Sequence, residues 1–130
     1  MKNGAVWIDR GLIISPYCIG LCKTETQFKK ELKRLNVPLS ECPNWITSDD
    51  KDATVWNFQE GGGNQQCCIV CIRKKKDTKP DEILGLLIHE AVHIWQAIRK
   101  NINETEPSSE FEAYSIQSIA QRLIEAYKIK

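Results

Sequence analysis

The chain has 130 residues and two histidines, His89 and His93, which stand four residues apart around Glu90 in the run Leu86-Leu87-Ile88-His89-Glu90-Ala91-Val92-His93-Ile94-Trp95-Gln96. On an α-helix, residues i and i+4 lie one above the other, so both imidazoles face the same way and can hold one metal ion. Glu90, next to the first imidazole, would then reach a water at that ion, where a carboxylate serves as general base rather than as ligand. Imidazole ligands on an open site suit zinc, Zn2+, among the common divalent ions. The alternative is a pair of core histidines beside a solvated glutamate.

The element that must position these groups is a helix. Leu84, Leu87, Ile88, Ala91, Val92, Trp95 and Ile98 recur at helical spacing and form a broad apolar face, so the helix is expected to be largely buried. Its imidazoles would then need partners, which a metal supplies. Pro80 suits its first turn, Asp81 and Glu82 match its positive end, and Arg99-Lys100 match its negative end. A third protein ligand has to come from elsewhere. No histidine remains, and Gln96 and Arg99 occupy the positions where a longer histidine motif would continue, which leaves carboxylates and cysteines. After the connection 101–107, a last helix is expected from about Ser109, with Ile116, Ile119, Ala120, Leu123, Ile124 and Tyr127 on its apolar face. Returning antiparallel, it would pass beside the motif helix, so a glutamate of the segment Ser109-Glu110-Phe111-Glu112-Ala113-Tyr114 can complete the site.

The first half of the chain is less explicit. Ala5 to Ile14 reads as a strand or extended lead-in broken at Arg10-Gly11 and closed by Pro16. Thr24-x-x-Gln27 has the form of a capping box, and Phe28, Leu32 and Leu35 then share one helical face, ending near Asn36 before Pro38. Lys29, Lys30, Lys33 and Arg34 make the solvated face of that helix. Residues 37–52, with Pro38, Pro43, Asn44, Ser48 and Asp49-Asp50, read as a loop. Two β-prone runs, 53–59 and 65–73, flank Glu60-Gly61-Gly62-Gly63-Asn64 and predict a hairpin, with Trp56 and Phe58 sharing a core face with Cys68, Val70 and Ile72. The glycine-rich connection lacks the Lys-Ser/Thr context of a phosphate loop and is read as a turn.

A hydrophobic content of 42% and a charged content of 27% fit a single domain over 1–130 with one core. A net charge of +1 gives no electrostatic case for nucleic acid or an acidic substrate. No apolar run is long enough to span a bilayer, and Met1-Lys2-Asn3-Gly4 opens no signal-like segment, so a cytoplasmic protein with no membrane partner is expected. Six cysteines, Cys18, Cys22, Cys42, Cys67, Cys68 and Cys71, are read as thiols acting as small buried hydrophobes. A second zinc site from Cys18 and Cys22 with Cys68 and Cys71 is the alternative, opposed by the adjacency of Cys67 and Cys68, which sends their side chains to opposite faces of a strand.

Glu110-x-x-Ala113-Tyr114 downstream of His89-Glu90-x-x-His93 resembles the Glu-x-x-Ala-Asp signature of the gluzincins, with Tyr114 where that family usually has Asp. More closely, His-Glu-Ala-Val-His-Ile-Trp-Gln followed by Glu-Phe-Glu-Ala-Tyr-Ser-Ile-Gln is similar to small metallopeptidase-like proteins encoded by phages and prophages; the likeness covers roughly residues 53 to 128. It implies an α+β fold with a minimal zincin-like core: an N-terminal helix, an antiparallel hairpin or small sheet, and the motif helix packed on a C-terminal ligand helix. It further implies a zinc metallopeptidase acting on a protein or peptide substrate, in the host cytoplasm if phage-encoded. Glu110 would be the third ligand and Ala113 the small residue that lets the helices approach, whereas Glu112 is also explained as the end of a Ser109-x-x-Glu112 capping box. Tyr114 would orient a ligand histidine in place of the family's Asp, line the substrate site, or pack in the core. With no histidine left to steady an oxyanion, Tyr114, Tyr17 and Arg73 are the candidates. An extended substrate could add to a hairpin edge, making Cys67 to Arg73 the cleft wall. Two other readings remain open: a zinc-binding or interaction module without catalysis, and a cysteine-based redox or metal module.

Overall fold

The structure, a computed structural model, describes residues 4–7, 17–48, 51–59 and 66–129. Their order is β1 (Val6–Trp7), β2 (Tyr17–Cys22), α1 (Glu25–Arg34), a single 3-10 turn (Leu39–Glu41), β3 (Ala53–Gln59), β4 (Gln66–Ile72), α2 (Pro80–Asn101) and α3 (Ser109–Lys128). This is an α+β arrangement: among the described residues a mixed sheet of order β1-β2-β4-β3, in which β1 is only a two-residue edge, is packed by helices. β2 and β4 are parallel, while β1–β2 and β3–β4 are antiparallel. Most of the expected strand over residues 5–14, and the glycine-rich turn, lie outside the described residues. No helix among the described residues is long and apolar enough to cross a membrane.

Strand β2 was not anticipated, because Tyr-Cys-Ile-Gly-Leu-Cys shows no apolar–polar alternation and Pro16 before it was read only as closing the preceding run. It forms because β4 offers it a parallel partner, with Cys18 opposite Cys67 and Cys22 opposite Cys71. Sandwiched between β2 and β3, β4 is buried from Cys67 to Ile72 and reads as one continuous apolar run, as a strand covered on both faces does. Its Cys68, Val70 and Ile72 pack with Ile19 and Leu21 beneath α2 and α3. Ile69 and Cys71 face the other way and pack with Cys22, Phe28, Leu32 and Ile46.

Two expectations are corrected by that register. Trp56 lies opposite Ile69 and Phe58 opposite Cys67, so both aromatics join the α1 face rather than sharing a face with Cys68, Val70 and Ile72. It is Ala53 and Val55 that face α2. Among the described residues the edge strand of the hairpin is β3, not Cys67 to Arg73, because β2 already occupies the far side of β4.

The helices begin and end where local chemistry says they should. Thr24 Oγ1 accepts the Gln27 N–H at 3.1 Å, and Gln27 Oε1 accepts the Lys23 N–H at 2.7 Å, one residue earlier than in a standard capping box. Asn36 terminates α1 with φ of 60°, the left-handed region that Asn tolerates better than most residues. Ser108 caps α3 by accepting the Phe111 N–H at 3.2 Å. α2 and α3 pack side by side, locked at the connection by the Trp95 indole N–H donating to Glu112 Oε2 at 2.9 Å and by the Phe111 ring set edge-on to Trp95 at 5.5 Å. At the opposite end the Lys23 ammonium donates to the carbonyls of Tyr127 and Ile129 at 3.0 and 2.7 Å.

On α2 the buried side chains are Ile83, Leu87, Glu90, Ala91, Ile94, Trp95 and Ile98, whereas Leu84 and Ile88 are exposed. The apolar face is thus narrower than its sequence suggests. Leu87→Ala should destabilise the protein by about 2–5 kcal/mol, because it opens a cavity in a closed core, whereas the neighbouring Ile88→Ala should stay within about 1 kcal/mol. Urea unfolding of both variants tests this orientation of α2, and equal losses would contradict it.

Candidate metal centre

The narrow buried stripe of α2 decides where the motif points. Each residue turns a helix by about 100°, so with Leu87, Ala91 and Ile94 against the sheet, His89 and His93 fall on the exposed flank and Glu90 on the boundary between flank and core. The histidines are therefore not the buried pair the sequence suggested. His89 has a side-chain exposure of 66%, while Glu90 is 5% exposed as a residue.

The two Nε2 atoms converge to 3.1 Å, and the rings meet edge to face with centroids 4.8 Å apart. Glu90 Oε1 stands 3.9 Å from His89 Nε2. His93 Nδ1 lies 3.2 Å from Gln96 Oε1, one turn along the same helix. Among the described residues, His89, Glu90 and His93 are the one group of three or more His, Cys, Asp or Glu whose ligand atoms all fall together, within 4.8 Å of one another.

Burial pushes the Glu90 carboxyl above the usual range, and the imidazoles of His89 and His93 and the Lys51 ammonium oppose that shift. A carboxylate held out of water but under cationic influence is suited to accepting and returning a proton.

The site opens into a groove of about 990 Å³. One wall is α2, with Glu82, Gly85 and Leu86 below the motif; the other is β3, with Ala53, Val55 and Asn57, and the loop residues Thr47, Lys51 and Asp52 close one end. Asp52 is held by Lys75 at 3.2 Å and by Arg73 at 3.5 Å. Sequence reading missed Thr47, Lys51, Asp52 and Asn57. Only Asn57 had a signal, the period-two alternation of β3 with Ala53 and Val55, which the aromatic residues on the other face obscured; Thr47, Lys51 and Asp52 lie in the preceding loop, where no periodicity operates.

The donor set fits zinc. Two nitrogens on adjacent corners of a tetrahedron with zinc–nitrogen bonds of about 2.0–2.1 Å stand about 3.3–3.4 Å apart. The observed 3.1 Å is already close to that edge, so the imidazoles need little rearrangement to share an ion.

Other expected participants are elsewhere. Glu110 is exposed in the first turn of α3 and is not in the group around the histidines. Glu112, on the same turn, accepts from Trp95, and Trp95 stands two residues and therefore about 200° around α2 from His93. The start of α3 thus packs on a different flank of α2 from the one that carries the histidines. Tyr114 is 65% exposed on α3 and does not line the groove. The Arg73 guanidinium is engaged with the carbonyls of Ser48 and Lys51 and with Asp52. The side chain of Tyr17 lies outside the described residues.

The cysteines are not assembled into a second site. All six are thiols, and Cys68 packs beneath α2 while Cys22 and Cys71 face α1. Cys68 Sγ donates to Asn57 Oδ1 at 2.8 Å. Burial pushes the thiols of Cys22 and Cys68 up to about 12, and that of Cys71 upward as well, so these groups stay protonated and act as small apolar side chains.

Because the Glu90 pKa is raised on folding, the folded chain holds this proton more tightly than the unfolded chain. Stability from this group is then fully present at acid pH and is lost as pH climbs from the ordinary carboxylate value, about 4.3, through the raised one. The metal-free Glu90→Gln variant should accordingly be more stable than the wild type at neutral pH and converge with it below about pH 4. Thermal melts across pH would show this; a variant less stable at neutral pH would contradict it.

Comparison of the chain with protein-family models, with curated proteins and with solved structures finds no match.

Proposed function

We propose that this chain is a zinc-dependent hydrolase of the metallopeptidase type, in which His89 and His93 hold the ion through Nε2 and Glu90 is the general base. The observation that supports it most directly is the convergence of the two Nε2 atoms to 3.1 Å beside a buried carboxylate at the wall of a groove. The motif's resemblance to gluzincins points the same way. When bound, zinc would polarise a carbonyl and lower the pKa of a water to about 7.

The protein's own groups account for the rest of the chemistry. Glu90 takes the proton of the attacking water and passes it to the departing amine, a role for which its raised pKa suits it. Among the described residues β3 is an edge strand, and its backbone along the groove suits an extended peptide. Lys51, exposed at the end of the groove and close enough to act on Glu90, is a better oxyanion candidate than Tyr114 or Arg73.

Glu110 enters this proposal as third ligand through the resemblance alone. Since it is not in the group around the histidines, its use would require movement of the first turn of α3. That position favours a second reading, a zinc-binding module without catalysis, in which the remaining coordination positions go to solvent or a partner.

Elemental analysis and a peptide-cleavage assay separate the two. The expected result is about one zinc per chain in the wild type and in Glu90→Gln, and none in His89→Ala. Hydrolysis should fall by about 10²–10⁴-fold in Glu90→Gln. Zinc lost from Glu110→Ala would establish that residue as a ligand. Zinc without hydrolysis in the wild type would favour the module, and zinc that survives His89→Ala would overturn the site.

A further inference from the structure

The hydrogen-bond pattern around the two imidazoles is not symmetrical, and the asymmetry has a chemical consequence. A neutral imidazole has one N–H and one lone pair. His93 Nδ1 faces Gln96 Oε1 at 3.2 Å, and an amide oxygen is only an acceptor, so the His93 proton belongs on Nδ1. His93 Nε2 is then a bare lone pair. It faces His89 Nε2 at 3.1 Å, and two lone pairs would repel at that distance. The contact is a hydrogen bond only if His89 carries its proton on Nε2 and donates it to His93. Among the described residues the other polar group beside these rings is Glu90, whose Oε1 stands 3.9 Å from His89 Nε2, beyond hydrogen-bond reach.

We infer that Gln96 is a positioning residue: its side-chain oxygen fixes His93 in the Nδ1–H tautomer, keeping His93 Nε2 ready to bind a metal before any metal arrives. His89 is the ligand that must change. On metal uptake its proton leaves Nε2, and Nδ1, exposed to solvent with the rest of the ring, takes up a proton in its place. The two ligands are therefore not equivalent, although the motif writes them alike. A partner on the second ring nitrogen is the usual means of orienting a ligand histidine, and its loss commonly costs 10–100-fold in metal affinity.

The functional consequence rests on the zinc reading, but the tautomer can be measured without it. Nitrogen-15 shifts of both rings would be recorded on metal-free protein through a pH series and read on its alkaline plateau, where the shifts no longer change. The expected result is a protonated Nδ1 on His93 and a protonated Nε2 on His89. Gln96 is exposed, so its replacement should leave the fold intact. Gln96→Met should give His93 a mixture of tautomers and weaken zinc binding by about 10-fold or more, whereas Gln96→Glu, which keeps an acceptor at the same place, should restore both. A protonated Nε2 on His93 in the wild type, or a His93 tautomer indifferent to Gln96→Met, would overturn the inference. The expected tautomers in a wild-type protein that binds no zinc would uphold the positioning role of Gln96 while removing the metal from the proposal.

Discussion

The candidate site depends on one constraint: α2 has to bury Glu90 while leaving its neighbour His89 in solvent. Adjacent helical residues differ by about 100° in direction, so this is achieved only when the boundary between core and groove runs between them. Leu87, Ala91 and Ile94 fix the boundary from the core side by packing against the sheet. Ile88 and Val92 would widen the apolar stripe only on the edge away from Glu90, so the boundary that leaves the imidazoles accessible is set on the Glu90 side. The narrow contact keeps a desolvated carboxylate at the foot of two accessible ligands, which is the combination that makes the cluster chemically suggestive.

How much of this was legible in the sequence follows from where the determining interactions are. Helices α1, α2 and α3 were readable because their signals are local: Thr24 with Gln27, Pro80 with Asp81 and Glu82, and Ser109 before the last apolar periodicity, although the cap proves to be Ser108, one residue earlier, so Ser109-x-x-Glu112 is not a capping box. The hairpin partners were readable for the same reason. Strand β2 was not, since it exists through a parallel partner more than forty residues away. The same long-range pairing turned β4 into a central strand and β3 into the edge, and so moved the cleft wall from one to the other. Binary patterning assigns one core face to a strand, and here both faces are covered, so the assignment of Trp56 and Phe58 to the same face as Val70 could not have been checked locally.

The trio His89, Glu90 and His93 was legible because helix geometry alone brings it together. Glu110 was named from a spacing that resembles a family's, and spacing does not say on which flank of α2 the returning helix lands. That is decided by the Trp95–Glu112 hydrogen bond and the Trp95–Phe111 ring contact, neither of which has a sequence signature. Gln96 had one, being three residues beyond His93 on the same face, but an i,i+3 pair acquires meaning only once the ring nitrogen it faces is known.

The clasp of Lys23 on the carbonyls of Tyr127 and Ile129 joins residues 104 and 106 positions apart. A link of that span brings the segment that follows β2 to the far end of α3. Leu123 and Ala126 beside it are buried in the core that α2 shares with the sheet, so the clasp sits at the rim of the same packed layer that sets the orientation of the motif helix.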